Sequence, residues 1–176
     1  MSATALPMPD SPAAIPVLLI RVAGQAMAVR QRDIAEILPL PRLAAVPEAP
    51  PILAGAFSLG GTAVFVLPMS HLLALAGPAE GTALYHHLLL LPAQRGEARF
   101  ALRVDRVTDI VLAEPQPLPK GESFNDCVEA EIGQGGGLLP LLSVSRLITV
   151  YERERLQAFA LRDSTRAAIF RPGEPG

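Results

Sequence analysis

The sequence predicts a mostly β protein built as two small lobes that share a core. Three observations predict it: an internal repeat runs through the chain, the apolar runs are short and broken by Gly and Pro, and few of them alternate with polar residues. Short apolar runs bounded by breakers favour strands over long helices. Runs without alternation imply strands covered on both faces, as when two small sheets pack together.

The repeat is visible in two ordered matches. Ala28-Val-Arg-Gln-Arg-Asp-Ile-Ala-Glu-Ile-Leu38 parallels Ala101-Leu-Arg-Val-Asp-Arg-Val-Thr-Asp-Ile-Val111, an offset of 73 residues. Gly61-Thr-Ala-Val-Phe-Val-Leu-Pro-Met-Ser-His-Leu-Leu73 parallels Gly136-Gly-Leu-Leu-Pro-Leu-Leu-Ser-Val-Ser-Arg-Leu-Ile148 at an offset of 75. Two matches in order at nearly one spacing point to a duplicated unit, each copy one lobe.

In chain order, residues 1–14 read as a flexible tail and the strands of the first lobe follow at 16–22, 27–29, 53–58 and 62–67. The Pro-rich stretch 39–51 reads as an extended connection across the surface, because proline cannot sit in a helix interior or a central strand. Strands of the second lobe are expected at 88–91, 99–104, 107–112, 128–132 and 138–142, with a second extended connection over 114–121. Short helical turns over 70–75 and 143–148 each begin on a serine placed to cap the first amides. Residues 15–150 form the two-lobed domain, 151–170 a loosely amphipathic helix of Leu156, Phe159, Ala160 and Ala167 among charges, and 171–176 a tail.

Composition narrows the function. The chain has 176 residues, half of them hydrophobic and 18% charged, enough apolar content to bury a core. A net charge of −2 without a block of like charges argues against a nucleic-acid partner. The longest apolar runs fall far short of a membrane span of about 20 residues, so no direct membrane insertion is expected. The lone cysteine, Cys127, excludes an internal disulfide framework and fits a reducing cytoplasm.

Chemistry is not evident. The cluster Gly55-Ala-Phe-Ser-Leu-Gly-Gly61 lacks the Lys-Ser/Thr of a phosphate loop and reads as a turn between strands, as does Gly133-Gln-Gly-Gly-Gly137. His86 and His87 are adjacent, so on a strand they point to opposite faces and cannot chelate together. No metal, cofactor or catalytic residue is expected. The rival from another class is a small metal-dependent hydrolase using His71, His87 and Asp105. An inert apolar double lobe can bind partners through sheet edges and the groove between lobes.

Most of the chain, residues 15–150, resembles the CheW-like domain family of chemotaxis coupling proteins. The resemblance is carried by Asp33-Ile-Ala-Glu-Ile-Leu38, Val46-Pro-Glu-Ala-Pro50, Leu53-Ala-Gly-Ala-Phe-Ser-Leu-Gly-Gly61, Leu102-Arg-Val-Asp-Arg-Val107 and Leu118-Pro119, in that order and spacing. It implies two SH3-like five-stranded β-barrels and a non-catalytic adaptor. The partners it implies are the regulatory domain of a CheA-like histidine kinase and the tip of a methyl-accepting chemotaxis receptor. By position it assigns Ile34 and Glu36 to a partner surface, Gly55 and Leu59 to a neighbouring turn, and Leu88 to a strand near receptor helices. The family turn continues Asn-Leu-Arg-Gly where this chain has Ser58-Leu-Gly-Gly61, so Gly60 replaces the usual Arg. The pattern after it is also changed, to Phe65-Val-Leu-Pro-Met69, with Ser143 at the matching place in the second unit. Loss of a guanidinium removes bidentate recognition and a charge, which implies altered receptor coupling. The alternative is a divergent scaffold or decoy in another kinase pathway, of the twitching type for example, binding kinase without receptor.

Overall fold

The computed structural model describes residues 13–77, 85–119, 126–148 and 150–169. Residues 1–12 and 171–176 of the expected tails, with 120–121 of the second connection, lie outside the described residues.

Strands β1 (Ile15–Val22) and β2 (Gln25–Arg30) form a hairpin, followed by a 3-10 turn at Gln31–Asp33 and the short β3 (Glu36–Pro39). A second hairpin, β4 (Gly55–Leu59) and β5 (Thr62–Pro68), leads into the one-turn helix α1 (Met69–Leu72). Then come β6 (His87–Leu90), β7 (Arg99–Val104), β8 (Arg106–Ala113) and the two-residue β9 (Gln116–Pro117). The chain continues through β10 (Val128–Gln134), β11 (Gly137–Leu142), the one-turn α2 (Val144–Leu147) and α3 (Val150–Ile169).

These strands make two sheets, ordered β8-β1-β2-β11-β10-β9 and β3-β6-β7-β5-β4. The expected assignment of strands to lobes is corrected here. The β1–β2 hairpin of the first unit joins the sheet of the second, and β6–β7 of the second unit joins the sheet of the first. The repeat survives the exchange residue by residue. Parallel strands β2 and β11 pair Ala28 with Leu141, and β7 and β5 pair Ala101 with Val66, which is one contact seen twice at the offsets of 73 and 75. Likewise Pro117 pairs with Ala130, and Ala44 bridges Ala56. Strand β9 therefore has a single-bridge counterpart in the other sheet.

Burial on both faces explains the missing alternation. Along β1, Val17 and Leu19 enter one apolar cluster with Ala28, Ile132 and Leu141, while Leu18, Ile20 and Val22 enter a larger one. Along β5, Val64 and Val66 pack with Leu88, Leu90 and Ala101, while Phe65 and Leu67 turn to the same large cluster. Each sheet thus encloses its own small core, and the third core lies between them. Helix α3 closes that shared core with Leu156 and Ala160. Phe159 meets Phe65 edge-on at 6.3 Å between ring centroids, and Gln157 accepts the Ala98 N–H at 3.1 Å.

Two local expectations differ from what is found. Strand β3, which the sequence reading did not assign, ends on Pro39, the first residue of the stretch read as a connection; Pro39 is tolerated because β3 is an edge strand and ends there. The serine caps are not made. Ser70 lies inside α1, whose N-cap is Pro68, and Ser143 directs its Oγ to Ser145 Oγ at 3.1 Å. At α2 the Ser143 carbonyl accepts the Arg146 and Leu147 amides instead.

Candidate partner-binding surface

Ile34 and Glu36 sit where the 3-10 turn passes into edge strand β3. The Ile34 amide donates to Gln31 O at 3.1 Å and the Ala35 amide to Leu90 O at 2.8 Å, which anchors the segment to β6. Ile34 is half-buried, Glu36 is exposed, and both line a shallow hollow with Leu18, Gln31, Ala35 and Ile37.

Strand β8 extends this surface. It is the edge of the six-stranded sheet and, among the described residues, pairs with β1 alone, placing Ile110 opposite Leu18 and Leu112 opposite Pro16. Cross-strand partners share a face, so both side chains stand beside the hollow's Leu18 on the same side of the sheet. They remain 49% and 74% exposed. An edge strand carrying exposed large apolar side chains is a template for another chain unless something covers it. Sequence reasoning placed residues 107–112 in a strand but missed Ile110 and Leu112 as surface groups. The signal was their spacing of two, legible only once β8 is known to be an edge.

The remaining expected site residues fall elsewhere. Leu88 is 0% exposed and sits in the core of the five-stranded sheet. Gly55 is buried on β4 at φ +146°, where a Cβ would come within 2.7 Å of Ala44 O. Its requirement is close backbone approach at the Ala44–Ala56 bridge. Leu59 packs partly against the same core as Leu88. Gly60 is exposed at the tip of the β4–β5 hairpin, with Gly60 and Gly61 at φ +59° and +80°, a two-residue type I′ turn. A Cβ at Gly60 would meet nothing within 4 Å. So Ile34 and Glu36 line the hollow with Leu18, which pairs opposite Ile110 on β8, while Gly60 stands on a separate hairpin and Gly55 and Leu88 lie inside.

The groups of the hydrolase reading are each held separately. His71 is exposed on α1. His87 Nδ1 accepts the Val107 N–H at 3.3 Å, and Asp105 Oδ2 accepts the Gly24 N–H at 3.0 Å. Burial, then the Arg106 guanidinium and His86, hold the His87 imidazole below the usual histidine range. Among the described residues no cluster of three or more His, Cys, Asp or Glu could hold a metal ion. Burial pushes the Cys127 thiol up, with Asp126 adding to it, so it stays protonated rather than nucleophilic at neutral pH. No helix among the described residues is long and apolar enough to cross a membrane.

Comparison with known proteins agrees with this architecture. The model of the CheW-like domain matches residues 16–152. No curated protein matches the sequence. Among solved structures, the chain is similar to the scaffolding protein TtCheW from Thermoanaerobacter tengcongensis, with a TM-score of 0.68 and 16% identity. That match covers 89% of this chain and 98% of the other.

Proposed function

The chain belongs to the CheW-like domain family, whose members are non-catalytic scaffolding proteins, and from that premise we propose that it couples chemoreceptors to a CheA-type histidine kinase in the bacterial cytoplasm. Residues 15–150 act as the coupling domain. The observation that carries the reading is the apolar edge at β8, where Ile110 and Leu112 stand exposed and Ile110 pairs opposite Leu18, which lines the hollow of Ile34 and Glu36. A receptor tip is a helical hairpin, and an apolar rim with one carboxylate suits a helix face bearing apolar residues and a cation. Gly55 and Leu88 act from inside the five-stranded sheet, through its fold, and the hairpin tip at Leu59–Gly60 is a second contact for the receptor.

A decoy reading rests on Gly60. The hairpin tip carries no guanidinium, so a partner that needs one is bound less well. In that case the chain engages kinase without receptor.

Titration of the full chain with the regulatory domain of a CheA-like kinase tests the proposal. Saturable binding is expected, and no binding at tens of micromolar would overturn it.

A further inference from the structure

We propose that His87 is a proton-sensitive latch between the two sheets, its neutral ring holding the start of β8 against β6 and releasing it in acid. This stands apart from the identity of any partner.

The chain crosses from one sheet to the other at the β7–β8 corner, between Val104 and Arg106. Side-chain and backbone bonds fasten that corner, three of them central here. The Asp105 amide donates to Arg21 O at 2.9 Å, Asp105 Oδ2 accepts the Gly24 N–H, and His87 Nδ1 accepts the Val107 N–H. The first two join the corner to the β1–β2 hairpin. The third is a bond from β8, in one sheet, to a side chain of β6, in the other. A ring nitrogen accepts an N–H only while it carries no proton; protonated, it is a donor, and two donors then face each other.

The groups around the ring set its response. The chain neighbour His86, just before β6, is buried and lowers the His87 value further. From β8 comes Arg106, whose guanidinium lies 5.8 Å from the centroid of the Tyr85 ring. From β7, Arg103 pairs opposite Leu88, and at the corner after it Asp105 holds Gly24. From β1, Arg21 pairs opposite Arg106. Strand β3 offers Pro39 opposite His87, with Glu36 at its far end. Burial and the Arg106 charge both favour the neutral ring, so the latch is closed at neutral pH. Its contribution is complete above the ordinary histidine pKa of about 6.5 and is lost as pH falls through the lower folded value. Thr108, the residue after Val107, lies at the β1–β8 register shift, where its Oγ1 donates to Leu19 O at 3.1 Å. Release therefore acts where β8 is already irregular, upstream of Ile110 and Leu112.

The test is amide hydrogen exchange of Val107 in the full chain, corrected for intrinsic rates, at about pH 7.5 and about pH 5, with His87→Asn as the comparison. The Asn Oδ1 takes the place of Nδ1 as an acceptor but does not titrate. Val107 protection should fall about three- to tenfold in the parent on acidification, the scale of one net hydrogen bond, and stay level in H87N. Equal pH dependence in the two proteins would overturn the latch. Should H87N fold poorly, the parent alone decides. The Val107 amide shift must titrate with the same midpoint as the His87 ring nitrogens, and an amide that does not move while the ring protonates would overturn it equally.

Discussion

Replacing Ile110 and Leu112 together by threonine should weaken receptor binding without unfolding the protein. Both lie on an edge strand and are 49% and 74% exposed, so the free chain has little to lose. Threonine has the β-branched shape that strands favour, and surface changes of this kind usually stay within about 0.5 kcal/mol. The binding cost is larger. Full burial of a Leu or Ile side chain is worth about 1.5–3 kcal/mol, and a partner covering these two could recover only the fractions now exposed. That amounts to about 2–4 kcal/mol for the pair, or a roughly 30- to 800-fold rise in Kd. Calorimetric titration with a receptor-tip fragment measures it, with urea unfolding as the control for fold. A doubly substituted protein of normal stability whose Kd stays within about threefold of the parent would refute the assignment of β8 to the partner surface.

Other expectations follow from single positions. Gly55→Ala should lower stability by about 2–4 kcal/mol, from a strained φ and the 2.7 Å approach to Ala44 O, whereas Gly60→Ala, in open space, should cost only about 1–2; denaturation midpoints compare them. Gly60→Arg should fold, since nothing lies within 4 Å of its Cβ position, and on the decoy reading it should increase receptor association; an unchanged affinity counts against that reading. Cys127 should react with iodoacetamide more slowly than a free cysteine at the same pH, because burial keeps it protonated; a rate equal to that of a free thiol contradicts this.

What could be read from the residues followed the reach of the interactions. Strands such as β5 and β7 were legible because their apolar content and bounding turns are local. Strand β3 was not, because Pro39 masks a four-residue edge strand whose pairing comes from β6. The repeat predicted duplication, yet exchange of the β1–β2 and β6–β7 hairpins depends on contacts between residues far apart in the chain, Val66 with Ala101 in one sheet and Ala28 with Leu141 in the other. For the site, Ile34 and Glu36 stand beside a hollow as a surface role requires, but Leu88 looks the same in sequence as a surface leucine and is wholly inside. Ile110 and Leu112 escaped notice for the converse reason. An apolar pair in a strand reads as core until the topology shows that no strand lies beyond it.

An adaptor must hold two partners at once, and that is the property to measure. Sedimentation velocity of the full chain mixed with a CheA-like regulatory domain and a receptor-tip fragment should yield one species containing all three. Displacement of the kinase domain by the receptor tip, or of the tip by the kinase domain, would contradict the coupling function.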